Sequence, residues 1–401
     1  MRRRSQGRTN MVAAPTSSGL VIVSGAIATH PIGGGGNTWA FLQYVLGFRN
    51  LGFDVLYVEE LPPTGCFDAH WQPAPLEVSY NARYLLRVAR DFGFAERVAL
   101  WSATDPHVGI GLSIDAVVSL ARSAVAVVNL SGRLHQPDVL GAVPKRIYID
   151  LDPAFTQIWQ EVYGANMNLA GHDVHFTVGL CAGTDRWNAP TCGIDWKPTC
   201  PPVVLSEWTV SDTPGDRYTT VADWRGYSPV EWQGRWYGQK SEEFLRILPL
   251  PTRVGVPLEL CLAIHPEEPD LPRLLAAGWL VVDPKIHAAT PEAYRLYVGG
   301  SRGEFTVVKN GYRVGHTGWF SDRTACYLAA GRPAVVQDTG FSEVLPTGLG
   351  LLSFSTEDEA AAALAALEAA YERHGTAARE LAVEWFDSGR VLQRILERSG
   401  L

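Results

Sequence analysis

Short apolar runs alternate with amphipathic segments along most of the chain. The first two runs cover residues 20–24 and 54–59, and each has the length of a buried β-strand. Between them, Phe41, Leu42 and Val45 recur at the spacing of one helical face. A strand, a helix and a strand in this order predict a βαβ unit with a right-handed crossover.

The same alternation continues to the end of the chain. Further strands are predicted at residues 98–101, 125–130, 146–149, 175–178, 218–222, 258–264, 280–283, 305–308, 334–337 and 351–354. Further helices are predicted at residues 241–247, 291–297, 322–330 and 357–371, and a last amphipathic stretch covers residues 377–395. Strands alternating with helices in both halves predict an α/β protein with two doubly wound sheets.

The length and one irregular segment predict two domains. A chain of 401 residues exceeds what one compact core usually supports. Residues 181–216 are rich in proline, cysteine, tryptophan and threonine without periodicity, which is typical of a linker. We predict a disordered tail at residues 1–18, a first domain at 19–205 and a second at 206–380. Ligands of such sheets bind at the carboxyl ends of the strands, so two facing sheets would form a cleft.

Composition and charge narrow the class of partner. The chain is 46% hydrophobic with a net charge of −8, which disfavours nucleic acid and anionic membrane surfaces as partners. The apolar stretches are too short to span a bilayer, and no apolar segment typical of a signal peptide follows the basic start. The six cysteines show no CxxC or Cys/His zinc spacing. We therefore expect a cytoplasmic monomer or homodimer with reduced thiols, no bound metal and small-molecule partners.

Three motifs in the sequence resemble those of glycosyltransferases with the GT-B fold. Residues 329–341 read A-A-G-R-P-A-V-V-Q-D-T-G-F and resemble the A-x-G-x-P-V-V segment of the retaining enzymes. Residues 349–359 and the alanine-rich stretch after them are similar to a second segment, G-x-L followed by D-x-x-x-L-A-x-A-I. Residues 192–198 resemble the N-G-V-D crossover between the two domains. The order of the motifs across both halves carries the resemblance.

The resemblance, closest to the glycogen synthase and sucrose synthase-like bacterial group, implies a fold and an activity. It implies two facing Rossmann-like domains, the first binding an acceptor and the second a nucleotide-diphosphate sugar, with a helix at residues 381–401 crossing back to the first. The implied reaction is hexosyl transfer to an acceptor hydroxyl without a metal or cofactor. A composition typical of GC-rich bacteria favours a secondary metabolite as the acceptor.

Family resemblance also suggests cations for the departing diphosphate. The family places an arginine after the first strand of the second domain and a lysine soon after, which correspond here to Arg225 and Lys240. Positive side chains and helix amides there stabilise the negative charge on the leaving group. The alternative is an ordinary solvated surface pair.

A second candidate phosphate site lies at residues 316–321, H-T-G-W-F-S, which are similar to the H-C-G-W-N-S string of inverting plant and antibiotic transferases. The resemblance makes His316 and Ser321 phosphate contacts, with Gly318 in an amide-rich turn. A structural role for His316 is the alternative.

The acidic pair of the retaining enzymes, Glu-x7-Glu, is missing. Its positions fall on Gly318 and Cys326, so Asp322 is the nearby candidate for the ribose hydroxyls, or else a helix cap. Thr339 and Gly340 complete the predicted donor contacts. This departure leaves the donor base and the stereochemical outcome open.

In the first domain, a glycine run follows the first strand. Gly33, Gly34 and Gly35 can bring backbone close to a sugar or phosphate, because they lack a Cβ atom. A dinucleotide site would need G-x-G-x-x-G directly after the strand; Glu59 supplies its acid, but these glycines are late and contiguous. His30 lies where inverting GT-B enzymes keep a general base, although a structural His-Pro loop is the alternative.

Three further residues are candidates for acceptor chemistry. Asp152 ends a predicted strand at its carboxyl edge and is a candidate base; with Asp150 it spells the D-x-D of GT-A enzymes, a string too short to be specific. His135 is predicted to line the same cleft. Trp39 is a candidate stacking platform for a sugar or flat aglycone.

Two other functions fit the same architecture. A sugar-nucleotide epimerase would act without an acceptor, and a catalytically silent subunit would activate a partner transferase. The missing glutamates favour the silent subunit over an enzyme, whereas the motif order favours glycosyl transfer.

Overall fold

The structure is a computed structural model that describes residues 18–211 and 213–401. Except for Ser18, the predicted disordered tail lies outside the described residues. No helix in the described ranges is long and apolar enough to cross a membrane.

An eight-stranded sheet organises the first half. Its strands are β1 (Leu20–Ser24), β2 (Asp54–Leu61), β3 (Val98–Ser102), β4 (Asp105–Gly111), β5 (Ala124–Leu130), β6 (Arg146–Asp150), β7 (Val174–Thr177) and β8 (Trp196–Pro198). The spatial order is β4-β3-β2-β1-β5-β6-β7-β8. Only β4 is antiparallel to its neighbour. Every residue of β1 is buried, as expected for a strand covered by helices on both faces.

Helices connect these strands and cover the sheet. They are α1 (Gly35–Asn50), α2 (Tyr80–Asp91), α3 (Ile114–Ala121), α4 (Pro137–Ala142) and α5 (Phe155–Glu161). In α1, Trp39 and Phe41 are buried together with Leu42 and Val45, so the predicted apolar face forms the core contact.

A six-stranded parallel sheet organises the second half. The strands of this half are β9 (Tyr218–Asp223), β10 (Val230–Trp232), β11 (Arg235–Tyr237), β12 (Leu258–Ala263), β13 (Leu280–Val282), β14 (Gly303–Thr306), β15 (Ala334–Gln337) and β16 (Leu351–Phe354). The sheet has the order β13-β12-β9-β14-β15-β16, and β10 and β11 form a separate hairpin. Two mainly parallel, doubly wound sheets confirm the predicted architecture.

Nine helices are described in this half. They are α6 (Lys240–Arg246), α7 (Asp270–Ala276), α8 (Pro284–His287), α9 (Pro291–Gly299), α10 (Asn310–Val314), α11 (Asp322–Ala329), α12 (Glu357–Ala369), α13 (Tyr371–Leu381) and α14 (Ser388–Arg398). The amphipathic stretch at residues 377–395 is not one continuous helix, because a π-helix, Ala382–Phe386, and a break at Asp387 divide it. The Asp387 carboxylate accepts a hydrogen bond from the Arg390 amide and so starts α14.

The last helix crosses back to the first domain. A Cβ atom at Gly47 of α1 would lie 2.6 Å from Leu392 Cδ1 of α14, so the helices approach closely where Gly47 has no side chain. Val203 pairs with Asp387 in an isolated bridge beside this contact. The returning helix that the resemblance implied is therefore present. The boundary at residues 205 and 206 stays a prediction.

Aromatic packing joins the two halves. Trp39 Nε1 donates a 2.8 Å hydrogen bond to the Pro291 carbonyl, and its ring packs 5.1 Å from Trp208. Trp208 in turn contacts Tyr294 of α9 edge-on. These contacts hold α1 against α9 of the second half, and a cleft lies at the carboxyl ends of β1 and β9.

Candidate functional site

A cavity of about 460 Å³ lies between the two sheets. From the first half it is lined by the loop after β1, which includes His30, Gly33 and Gly34. From the second half it is lined by residues at the ends of β9 and β12 and at the starts of α6, α10 and α11. The cavity therefore occupies the position at which doubly wound sheets bind their ligands.

The glycine turn brings backbone to the edge of this cavity. Gly33 has φ of +63°, a left-handed conformation that favours glycine. A Cβ atom on Gly34 would lie 1.8 Å from the His30 carbonyl oxygen, so the turn closes only with glycine there. Both glycines line the cavity as predicted, and their contact with a donor stays a prediction.

Gly35 has a different task from the one predicted. Its amide donates a 3.0 Å hydrogen bond to the Ala288 carbonyl of the second half. A Cβ atom there would lie 2.3 Å from the Thr290 carbonyl oxygen. Gly35 does not line the cavity, which corrects its prediction as a donor contact. Its missing side chain instead permits the close approach of the two domains.

Glu59 fixes the loop that carries His30. Its buried carboxylate accepts hydrogen bonds from the Ala28 and Thr29 amides at 2.8 Å each and from the Tyr57 hydroxyl. Desolvation raises the pKa of Glu59 despite these hydrogen bonds. The acid that a dinucleotide site would use for ribose is thus committed to the loop.

His30 lines the cavity, although the residue is exposed to solvent. Desolvation of part of the ring lowers the pKa of His30, the nearby Arg133 lowers it further, and Asp223 opposes them, so the surroundings favour the neutral form. A neutral imidazole can accept a proton from a hydroxyl at neutral pH. Its role as a base stays a prediction.

Lys240 is a buried cation that faces the cavity. It opens α6, is only 8% exposed and lines the cavity wall. Among the described residues its ammonium group has no hydrogen-bond acceptor and no salt bridge. Burial lowers its pKa far below the usual value, with contributions from Arg323 and Lys309, while Asp223 and Glu304 oppose the shift. An unpaired buried cation is unfavourable unless an anion occupies the cavity.

Arg323 adds a second cation that the sequence analysis missed. Its guanidinium pairs with the buried Glu304 of β14 and donates to the Val221 carbonyl and Thr306 Oγ1 at 3.0 and 3.1 Å. Burial alone would lower the pKa of the Arg323 guanidinium, but the ion pair with Glu304 outweighs burial and raises it. Arg323 lines the cavity at the first turn of α11. The sequence did place Arg323 directly after Asp322 at a predicted helix start, and this position could have indicated that it lies at the site.

Lys309 is a third cation at the cavity, also missed. Its Nζ lies 3.4 Å from both carboxylate oxygens of Asp152 and hydrogen-bonds to Tyr227. Burial lowers its pKa, and Asp152 opposes the shift. Tyr312 also donates a 2.6 Å hydrogen bond to Asp152. Asp152 comes from the first domain and its partners from the second, so this cluster connects the two.

The contacts of Asp152 argue against its predicted role as a base. Two tyrosine hydroxyls and one ammonium group already occupy its carboxylate oxygens. Asp152 is not in the cavity lining, although Lys309 and Tyr312 are. This placement is a correction, because the carboxylate acts as a tie between the domains.

The start of α11 presents polar groups to the cavity as predicted. Ser321 Oγ caps the helix by accepting a hydrogen bond from the Arg323 amide, and both Ser321 and Asp322 line the cavity. Burial raises the pKa of Asp322, and Arg323 opposes it. The glutamate position occupied by Cys326 lies deep in the helix, with Gln43 Nε2 3.6 Å from its sulfur. The donor roles of Ser321 and Asp322 stay predictions.

Arg225 lies outside the cavity lining, which corrects half of the predicted clamp. Its side chain is 53% exposed and pairs with Glu268 and Asp270 at 3.1 and 3.0 Å. Another hydrogen bond joins it to Ser241 Oγ. These carboxylates hold Arg225 on the rim of the second domain, where it is a surface ion pair.

The loop at residues 316–318 and the turn at 339–340 also lie outside the cavity lining. His316 Nε2 is 3.1 Å from Glu343, and Gly318 packs on the Cys181 backbone. Thr339 Oγ1 donates to the Trp319 carbonyl, and Gly340 adopts φ of +100° beside the His316 ring. The placement of these four residues does not support the phosphate contacts predicted for them. The loop and the turn instead contact Cys181 of the first domain through Gly318 and Gly340, behind the cavity.

The two predicted acceptor residues lie elsewhere. His135 is exposed and pairs with Glu60, whose hydrogen bond raises the pKa of the imidazole. Trp39 is 1% exposed and packed between the domains, so it has no free face for an acceptor. Neither residue lines the cavity. The prediction of Trp39 as a stacking platform is corrected, because the contact between the domains buries its ring.

The fold and the cleft together define a class of protein. No protein-family model matches the sequence, and no curated protein matches it. Solved glycosyltransferases match nearly the whole chain in structure, and the chain has their GT-B fold, as the resemblance implied.

Three of these structures show the extent of the match. An α-glucosyltransferase solved with UDP-glucose and DNA containing an abasic site is 11% identical, with a TM-score of 0.57 over 96% of this chain and 100% of that one. AviGT4, a glycosyltransferase involved in avilamycin A biosynthesis, is 15% identical, with a TM-score of 0.53 over 95% and 97%. Anabaena HepE solved with UDP is 11% identical, with a TM-score of 0.55 over 96% and 100%.

Proposed function

We propose that the protein is a metal-independent glycosyltransferase that moves a hexosyl group from a nucleotide-diphosphate sugar to an acceptor hydroxyl. The unpaired, buried ammonium group of Lys240 carries this proposal. It faces a cavity between two sheets, beside a glycine turn on one side and the start of α11 on the other. A diphosphate is an anion that would compensate such a charge.

The cavity supplies three kinds of positive potential for a departing diphosphate. Lys240 is a cation without a partner among the described residues, whereas Lys309 and Arg323 add their charge through pairs with carboxylates. The amides at the start of α11 add the positive end of a helix dipole. Fixed charges and dipoles in a cavity with little water stabilise charge that develops in the transition state.

Acidic and imidazole groups on the cavity wall fit the remaining tasks. Asp322, beside the start of α11, is the candidate ribose contact, and Asp223 is a candidate contact for sugar hydroxyls. We favour a retaining, front-face reaction, in which the leaving diphosphate helps to deprotonate the acceptor. If the reaction inverts instead, His30 is the candidate base, because Asp152 is committed to the domain contact.

UDP-sugars are the first donors to test. The α-glucosyltransferase and HepE structures contain UDP-glucose or UDP, which supports this choice for the present chain. AviGT4 acts in the biosynthesis of avilamycin A, which supports a secondary metabolite as acceptor. A cytoplasmic location and a monomeric or dimeric state stay predictions.

Calorimetry with UDP-, dTDP-, GDP- and ADP-sugars tests the proposal. One donor should bind, and mass spectrometry should then show nucleoside diphosphate released in step with a glycosylated acceptor. NMR of the product's anomeric proton distinguishes retention from inversion. Conversion of the sugar without release of diphosphate would instead indicate the epimerase, and absence of binding across the donor panel would refute the proposal.

A further inference from the structure

A cluster of metal-binding side chains lies behind the cavity, where the two domains meet. Cys181 follows β7 in the first domain, whereas His316 and Glu343 belong to the second. One potential ligand atom from each residue lies within 4.8 Å of the other two. The cluster is separate from the proposed active site, since none of the three residues lines that cavity.

The backbone keeps the space between the sulfur and the imidazole open. A Cβ atom on Gly340 would lie 2.7 Å from His316 Nε2 and 3.0 Å from Cys181 Sγ. Gly340 has φ of +100°, and His316 itself has φ of +44°, which is uncommon for a residue with a side chain. A glycine therefore leaves a cradle against which the nitrogen and the sulfur both point.

The charge around the cradle is negative close to the sulfur. Two carboxylates lie beside the cradle, since Glu343 Oε1 is 3.1 Å from His316 Nε2 and Asp338 Oδ1 accepts a 2.9 Å hydrogen bond from the Gly340 amide. The opposing cation, Arg186, pairs with Glu343, but its side chain is 62% exposed. An exposed ion pair of this kind contributes little and exchanges easily with solvent. A cation seated between Cys181, His316 and Glu343 would compensate the carboxylates directly.

We propose that Cys181, His316 and Glu343 form a binding site for a divalent, thiolate-preferring cation, with Zn²⁺ the best match. One sulfur, one imidazole nitrogen and one carboxylate oxygen are ligands that zinc takes, with water completing a tetrahedral site. On binding, the Cys181 thiol gives up its hydrogen bond to the Gly340 carbonyl and loses its proton to solvent, and its sulfur forms the metal bond. The His316 imidazole carries its proton on Nδ1, so that Nε2 binds the metal in place of its hydrogen bond to Glu343, and Arg186 turns outward.

Such a site would lock the domain arrangement. It takes one ligand from the first domain and two from the second, so the bound metal opposes separation of the cleft walls. The expected consequence is a metal-dependent increase in thermal stability. The proposal is independent of the glycosyltransferase proposal, because the cluster touches neither the cavity nor its cations.

Cobalt(II) spectroscopy on the full chain tests the site. Titration with Co²⁺ should produce the thiolate-to-cobalt charge-transfer absorption and the visible bands of four-coordinate cobalt, and Zn²⁺ should displace both. Cys181→Ser should abolish the charge-transfer band, and His316→Gln should weaken Co²⁺ binding. Since loss of even an outer-shell partner weakens metal sites by about 10–100-fold, loss of the thiolate should weaken binding by at least about 100-fold.

Cys192→Ser is the control, because Cys192 lies outside the cluster and, unlike the buried Cys181, is partly exposed. It should keep the absorption bands and the affinity of the parent protein. A melting curve of each variant without metal shows whether it folds. The proposal fails if the parent protein shows no charge-transfer band, or if folded Cys181→Ser keeps the band.

Discussion

Replacing Lys240 with methionine separates the two effects of a buried, unpaired charge. Methionine keeps most of the side-chain volume and removes the ammonium group. Without ligand, the charge is unfavourable, because Lys240 is 8% exposed and has no hydrogen-bond or salt-bridge partner among the described residues. With a diphosphate bound, the same charge is favourable. The substitution should therefore stabilise the free protein and weaken ligand binding.

The structure sets the size of both effects. The effective penalty for an ion buried without compensation is several kcal/mol, and Asp223 and Glu304 offset part of it here, so we expect about 1–3 kcal/mol of added stability. A charge-assisted hydrogen bond to a phosphate contributes about 1.5–3 kcal/mol. Its loss corresponds to a dissociation constant for UDP that rises by roughly 10–150-fold.

Differential scanning calorimetry and isothermal titration with UDP measure the two effects on the same samples. Arg225→Met is the control, because Arg225 is an exposed cation in the same domain that lies outside the cavity lining. It should change neither quantity by much. The reasoning is refuted if Lys240→Met binds UDP as tightly as the parent, or if Arg225→Met loses as much affinity as Lys240→Met.

Four further predictions concern Lys240, the glycine contact between the domains and the pair of Arg323 with Glu304. At about pH 8.5, where phosphate is fully ionised, UDP binding should take up protons, because burial lowers the pKa of Lys240 and a diphosphate restores its charge. Calorimetry in buffers of different ionisation enthalpy measures this uptake. The uptake should be smaller in Lys240→Met. Because the unfolded chain binds more protons at this lysine, the stability of the ligand-free protein should rise with pH from that lowered pKa towards about 10.4, as urea melts would show. Gly35→Ala should destabilise the protein by about 1–3 kcal/mol, because the new Cβ meets a backbone carbonyl, whereas Gly141→Ala, with nothing within 4 Å, should not; thermal melts compare them. Arg323→Met should cost about 3–5 kcal/mol in urea unfolding by leaving Glu304 buried and unpaired, and the added change Glu304→Gln should recover much of it.

The fold was accessible from sequence because its signals are local. Buried parallel strands read as continuous apolar runs, and β1, β9 and β15 lie where those runs predicted them. The strand β4 was missed, because its residues are mostly exposed and include two glycines, so no apolar run marks it. The hairpin of β10 and β11 is short and was missed for the same reason.

The site could be predicted only in part from the sequence, because partners that are distant in the sequence decide whether a cation is buried or exposed. Arg225 and Arg323 look alike as sequence letters. Arg323 is buried because it forms an ion pair with Glu304, which lies 19 positions earlier on a neighbouring strand. Arg225 stays exposed because its ion pairs with Glu268 and Asp270 keep it at the surface. Lys309 gave no signal at all, since its partner Asp152 comes from the other domain.

The glycine run shows how one motif can serve two surfaces. Gly33 and Gly34 shape a turn at the cavity, as the sequence suggested. Gly35 and Gly36 are constrained by the second domain: a Cβ atom on Gly35 would lie 2.3 Å from the Thr290 carbonyl oxygen, and one on Gly36, which also lines the cavity, would lie 2.8 Å from the Tyr294 ring. A single sequence cannot separate the two requirements, since both call for a missing side chain.

Four cations among the described residues line the cavity, and Lys285 is the exposed one among them. The pairing of the other three, which are buried or half-buried, explains why Lys240 should dominate recognition of an anion. Lys309 is already held by Asp152 and Arg323 by Glu304, so a ligand that contacts either has to share it with a carboxylate. Lys240 needs no such exchange, and its full charge is available as soon as it is protonated. Burial, Arg323 and Lys309 lower the pKa of Lys240 in the ligand-free protein, so its amine should bind a proton and a diphosphate together.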